Sequence, residues 1–219
     1  MIVYLLALGG GRFELYSEPP EEPGEPPHPG AGRWRQWAHT AYVRWHELVE
    51  SARQRTSTGR IAQWRDVVVR RLAETIAEQR TLWALAQHSE ATLLFPATVG
   101  EADAHAALDR ALLAARRHHG WWLLVDAPLF VISGILTPVP GPNVLAYYLG
   151  FRVVGHWLSW RGARYASRRV RWTFEPDGSL AELASLVNMP RAARASRVDA
   201  IAARLNLHRL PAFFERVAA

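Results

Sequence analysis

The sequence predicts a mostly α protein of the α+β class: several amphipathic helices, a small N-terminal β-hairpin, and an apolar helical hairpin broken by proline and glycine. Three observations lead there. Apolar residues recur at helical spacing from Trp34 to Trp83. Two-residue alternation is confined to the N-terminus and to 171–174, and residues 127–151 pass without one charged side chain. At 219 residues the chain can bury a core as one main domain with appendages.

Ile2 to Leu8, the turn Gly9-Gly10-Gly11 and Arg12 to Tyr16 form two strands, with Phe13 and Leu15 alternating against Arg12, Glu14 and Tyr16. A lone hairpin needs cover, and Arg171-Trp172-Thr173-Phe174, before the turn Pro176-Asp177-Gly178, is the candidate third strand. The glycine turn lacks the lysine and helix start of a phosphate loop. Residues 17–32 hold six prolines and four glutamates, a linker that cannot order itself by burial. Trp34, Trp37, Ala41, Trp45, Leu48, Val49 and Ala52, then Ile61, Trp64, Val68, Leu72, Ile76 and Trp83, predict two paired amphipathic helices with a tryptophan stripe as core. After a turn at Phe95-Pro96, a shorter helix covers about 101–118.

The apolar hairpin occupies 120–160. Its first arm, Asp126 to Thr137, amounts to about 18 Å of helix. The second, Val144 to Trp160, is interrupted by Arg152 and His156, and the turn between the arms is Thr137-Pro138-Val139-Pro140-Gly141-Pro142-Asn143. Spanning a bilayer takes about twenty apolar residues, so a re-entrant or partly inserted hairpin is expected, with two core helices of a soluble domain as the alternative. Trp121, Trp122, Trp157 and Trp160 make an aromatic collar and Arg161, Arg164, Arg168, Arg169 and Arg171 a cationic rim. These nine are the candidate lipid-contact residues, since aromatics and arginines at one membrane face are what interfacial anchoring requires. Gly134, Ala146, Gly150 and Gly155 permit close helix approach. Asp126, ahead of Ala127-Pro128, has the order of a helix N-cap. Its alternative role is proton relay, with Arg152 and His156 as partners across the hairpin.

The tail, 178–219, is predicted helical, from the capping pattern Ser179-x-x-Glu182, its repeat Ser196-x-x-Asp199, and Pro211 at the start of a last helix. All 26 basic residues are arginine against 20 acidic ones, a net charge of +6 that suits phosphate-bearing partners. The absence of cysteine excludes disulfides and thiolate chemistry, and no metal-ligand spacing, nucleophile elbow, phosphate loop or dinucleotide fingerprint occurs. Neither a cofactor, a metal nor an enzymatic activity is expected. Nucleic acid is a rival use of the arginines, but the helix from Pro211 to Arg216 offers one basic side chain and two phenylalanines, a poor groove reader. The N-terminal apolar run is too short and uncharged for a secretion signal, so a protein that is not exported is expected, on the cytoplasmic side of the inner membrane.

Val3-Tyr4-Leu5 with Gly11 to Glu18, Trp122 with Asp126-Ala127-Pro128-Leu129, Thr137 to Asn143, and Tyr147-Tyr148, Phe151-Arg152 and His156-Trp157 together resemble the mitochondrial potassium–proton exchange-related family. The Pro-Gly-Pro-Asn turn is the distinctive part. The resemblance implies a factor needed for monovalent cation/proton exchange at an inner membrane rather than the exchanger itself, with no catalytic residues to carry over. Lack of a transit peptide suggests a bacterial relative. The expected function is a membrane-associated accessory factor in potassium/proton exchange or ion homeostasis, with anionic lipid and an exchanger protein as partners. A soluble helical interaction module is the runner-up, and an arginine-rich nucleic-acid binder the third reading.

Overall fold

Ile-Val-Tyr-Leu-Leu-Ala carries no charge on either face, and such a strand belongs where both faces of a sheet are covered. In the computed structural model, which describes residues 1–18, 81–135 and 144–218, this segment is β1 (Ile2–Ala7), an inner strand of a four-stranded sheet ordered β2-β1-β3-β4. β2 (Phe13–Tyr16) pairs antiparallel with it, Tyr4 opposite Tyr16. Gly9, Gly10 and Gly11 make the turn with φ of +77°, +60° and +75°, a left-handed run that only glycine adopts cheaply. β3 (Glu90–Pro96) runs parallel to β1, Ile2 opposite Thr92, and β4 (Arg171–Asp177) parallel to β3, Glu90 opposite Arg171.

Two long helices, α1 (Glu101–Ile135) and α2 (Val144–Ala166), form the connection from β3 to β4. Their near ends cover one face of the sheet: Ala104, Ala107, Leu108 and Leu112 of α1 and Ala163 and Ala166 of α2 pack on Val3, Leu5, Ala91, Leu93 and Phe95. A helical turn at 81–85 adds Leu82 and Leu85 to this core. Gly162 allows the approach, because a Cβ there would stand 2.0 Å from the Leu82 carbonyl oxygen. The opposite face is covered by α3 (Gly178–Ser185), α4 (Arg191–Leu205) and α5 (Leu210–Val217), whose Leu180, Leu183, Ile201, Leu210 and Phe214 pack on Tyr4, Leu6 and Tyr16.

The mixed α+β class, the N-terminal strand pair around the glycine turn and the strand at 171–174 are as the sequence predicts. Four expectations are corrected. Residues 90–96 form a strand, with Phe95-Pro96 at its end rather than at a turn; the burial alternation of Ala91, Leu93 and Phe95 is the period-2 signal that marks it. Tyr16 is buried rather than outward-facing, because the second sheet face is also covered. The predicted helix over 101–118 continues to Ile135, through Pro128. Proline removes the bond to the Leu124 carbonyl, but Leu124 and Pro128 are both exposed, so the freed carbonyl is on the open side of the helix rather than in the seam. In the tail, Asp177 rather than Ser179 caps α3, accepting from the Leu180 amide at 2.8 Å, and Ser196 lies inside α4. Pro211 does open the final helix. The predicted linker from residue 19 on, the predicted paired helices before 81 and the predicted turn at 137–143 lie outside the described residues.

Candidate functional site in the helical hairpin

Beyond Ala115 on α1, and before Ala163 on α2, no described residue belongs to either core. The helices nevertheless stay together, running in opposite directions so that Gly120 meets Trp160, His119 meets His156, Asp126 meets Arg152 and Phe130 meets Gly150. The residues facing the seam repeat every seven on α1, as Leu112, His119, Asp126 and Ser133, all buried. On α2 the stripe is Leu149, Arg152, His156, Ser159, Ala163 and Ala166, alternating steps of three and four. Heptad spacing thus carries the interface from apolar residues near the sheet to polar ones away from it.

Asp126, 2% exposed, is the hub. Arg152 Nε donates to its Oδ2 at 2.9 Å, and His156 Nε2 lies 3.5 Å from the same oxygen. The guanidinium also lies 5.0 Å over the Trp122 ring and 5.7 Å over that of Tyr148, and donates to the Tyr148 hydroxyl at 3.3 Å. Burial works against the charge on Arg152, but the bonds to Tyr148 and Asp126 outweigh it and hold its pKa above the ordinary value. On the other side of His156, its Nδ1 lies 2.9 Å from Nδ1 of His119, while Trp122 stacks on the His156 ring at 6.3 Å and 14°. Burial pushes His119 down to about 4, helped by its histidine neighbours His156 and His118. His156 is lowered too, burial prevailing over the attraction of Asp126, with Arg152 and His118 pushing the same way. At neutral pH the seam therefore holds one ion pair and two neutral imidazoles. Ser159 completes it, donating to the Gly155 carbonyl at 2.9 Å and accepting from Trp83 Nε1 at 2.8 Å.

Outside the seam the polarity inverts. Trp121, Leu124, Val131, Ile132 and Val154 are each more than half exposed, Leu124 by 71%, and Leu129, Phe130, Tyr148 and Trp157 by 40% or more.

The collar residues Trp121, Trp122, Trp157 and Trp160 fall at one level of the hairpin, marked by the Gly120–Trp160 and Trp122–His156 contacts. The rim is less uniform. Arg161 and Arg164 cover the Trp157 and Trp160 rings at 5.5 and 5.3 Å, whereas Arg168 and Arg169 follow the end of α2, and Arg171 opens β4, paired with Glu90 at 2.5 Å. All five are exposed. Asp126 is not an N-cap. It lies mid-helix in α1, where its own amide is already inside the ladder and its carboxylate turns to the other helix. The partnership with Arg152 and His156 expected for the alternative role is the one observed. His119 and Ser159 complete the seam although neither is a sequence candidate; the seven-residue step from Asp126 to His119 is visible in the sequence. Among the described residues no group of three or more histidine, aspartate or glutamate side chains is arranged to hold a metal ion.

The family model for mitochondrial K+-H+ exchange-related proteins matches residues 31–169, which contain the whole seam. The chain belongs to that family. The matched interval leaves out the β1–β2 residues that contributed to the resemblance, as well as β4 and α3 to α5; the described elements that fall inside it are the 81–85 turn, β3 and the two hairpin helices. No curated protein and no solved structure matches the chain.

Proposed function

We propose that this member of the K+-H+ exchange-related family is a membrane-associated accessory factor, acting in potassium/proton exchange from one membrane face by dipping the distal half of its hairpin into the lipid. The inverted polarity of that half carries the reading. Ionisable groups are paired in the seam while leucine, valine, isoleucine, phenylalanine and tryptophan face outward, the arrangement expected of helices in hydrocarbon and costly in water. From Trp121 to Ile135 the helix rises about 21 Å, less than the roughly 30 Å of a hydrocarbon core. No helix among the described residues is long and apolar enough to cross a membrane, which suits a dip rather than a span. The tryptophan collar would rest at the interface, with Arg161, Arg164, Arg168 and Arg169 near the headgroups, each worth about 1 kcal/mol beside an anionic surface.

Flotation with vesicles containing anionic lipid tests this directly. Wild-type protein should float, brominated acyl chains should quench tryptophan emission, and Leu124→Glu with Val131→Glu should leave the fold intact and abolish flotation, since both side chains are exposed. Replacing Arg161, Arg164, Arg168, Arg169 and Arg171 by Gln should weaken binding sharply. A wild-type protein that stays with the aqueous fraction would overturn the membrane reading and favour a soluble interaction module.

A further inference from the structure

The seam contains one contact that the membrane reading does not use. His119 and His156 meet Nδ1 to Nδ1 at 2.9 Å, from two different helices and both nearly excluded from solvent. Two nitrogens at that distance form a hydrogen bond only when one carries a proton and the other a lone pair. The remaining ring nitrogens constrain the choice. His156 Nε2 points at the Asp126 carboxylate, 3.5 Å away, which favours a proton on Nε2 and leaves Nδ1 of His156 as the acceptor; His119 Nδ1 is then the donor. His119 Nε2 is left with a lone pair, so the pair can accept one further proton there and keep the bond, now strengthened by charge. A second proton has a place only on the accepting Nδ1. That sets N–H against N–H and puts two imidazolium charges side by side.

We propose that the His119–His156 pair is a proton-binding site with a capacity of one, and that a second proton unlatches α1 from α2 in the distal half of the hairpin. The surrounding charges make the step unfavourable for the closed form. Asp126, the one acid at the site among the described residues, is already held by Arg152, and Arg152 itself adds a positive charge on the α2 side. From α1, His118 stands with its ring 5.1 Å from His119 and 6.5 Å from His156. The 81–85 turn contributes the Trp83 indole, which bonds Ser159 one turn from His156. A second imidazolium thus finds Asp126 engaged and Arg152 and His118 adjacent, while the apolar core that holds the helices near the sheet does not reach this far. Opening is confined to the distal half. The latch is a property of the seam and holds whether or not the hairpin meets a bilayer.

The cysteine-free chain makes the test clean. Spin labels at Leu124→Cys and Val154→Cys, both exposed positions on opposite helices, should report a single short distance at pH 7. In wild-type background that distance should lengthen and broaden, reversibly, as pH falls below about 4, where the pair has already taken up its first proton. In His119→Asn the amide can still bond His156 through either its oxygen or its nitrogen but does not titrate, so the distance should stay short through the same range. Opening that persists unchanged in His119→Asn, or a wild-type distance that never changes down to about pH 3, overturns the proposal. Nitrogen-15 shifts of the wild-type imidazoles give a second, independent arm: one Nδ1 should be protonated and the other bare at pH 7. Two bare Nδ1 atoms would refute the latch even if the labelled variant failed to fold.

Discussion

The two halves of the α1–α2 hairpin use one heptad geometry with opposite chemistry. Near the sheet, Leu108, Leu112, Ala163 and Ala166 meet in an apolar interface while Glu101, Asp103, Asp109 and Arg110 face outward. Farther out, His119, Asp126, Arg152 and His156 meet in a polar interface while Trp121, Leu124, Val131 and Val154 face outward. The first half is organised as for water and the second as for a low-dielectric surrounding, with the change falling between Leu112 and His119. Hydrophobic burial holds the first together; a charge-assisted bond, cation–π contacts and an imidazole pair hold the second.

If that contrast is right, truncation should hurt the near half most. Leu112→Ala should cost about 4 kcal/mol, transfer plus cavity, and show as a lower denaturant midpoint with unchanged slope. Asp126→Ala should follow at about 3 kcal/mol, because it leaves Arg152 without its carboxylate in a half-buried position. The double variant Asp126→Leu with Arg152→Leu should recover most of that loss; a double variant no more stable than Asp126→Ala would mean that the pair supplies more than compensation for its own burial.

The imidazoles predict a smaller, pH-dependent effect. Above about 6.5 both folded and unfolded chains keep His119 neutral, so the group contributes nothing to the pH slope. Between there and about 4 the unfolded chain binds a proton that folded His119 refuses, and stability falls with falling pH by up to roughly 3 kcal/mol, levelling off below. Chemical denaturation at pH 7 and pH 4.5 should show this loss in wild-type protein and a shallower one in His119→Asn. Smallest of all, Leu124→Ser and Val131→Ser should change stability in water by no more than about 0.5 kcal/mol, since neither side chain is packed. The same substitutions near the sheet, as in Leu108→Ser, should be severely destabilising.

Much of this architecture is legible in the residues. The uncharged stretch and its aromatic and arginine flanks can be read without coordinates, because each depends on composition and spacing, whereas the meeting of Asp126 with Arg152 and His156 is only one of the options that the residues leave open. The strand Glu90–Pro96 could be read too, yet its five inner apolar or hydroxylated residues sit beside Pro96 and resemble a turn entry until β1 and β4 are seen to pair with it on either side. Asp126 misleads for a local reason. Asp-Ala-Pro is a good helix start taken alone, and propensity favours beginning a helix there; the packing of α1 on α2 overrides it, since the carboxylate gains Arg152 by staying inside one continuous helix.

The sequence by itself determined the elements whose causes are local: the glycine turn with its left-handed backbone, the heptad stripes, the proline-led last helix and the exterior of an apolar hairpin. Only the tertiary structure decided that β1 is covered on both faces, that α1 runs unbroken through Pro128, and that His119 meets His156 nitrogen to nitrogen. The reason is physical. Periodicity states which side of an element must be buried, but the partner across the interface, and hence whether a buried carboxylate or imidazole is satisfied, is a property of two segments brought together from distant parts of the chain.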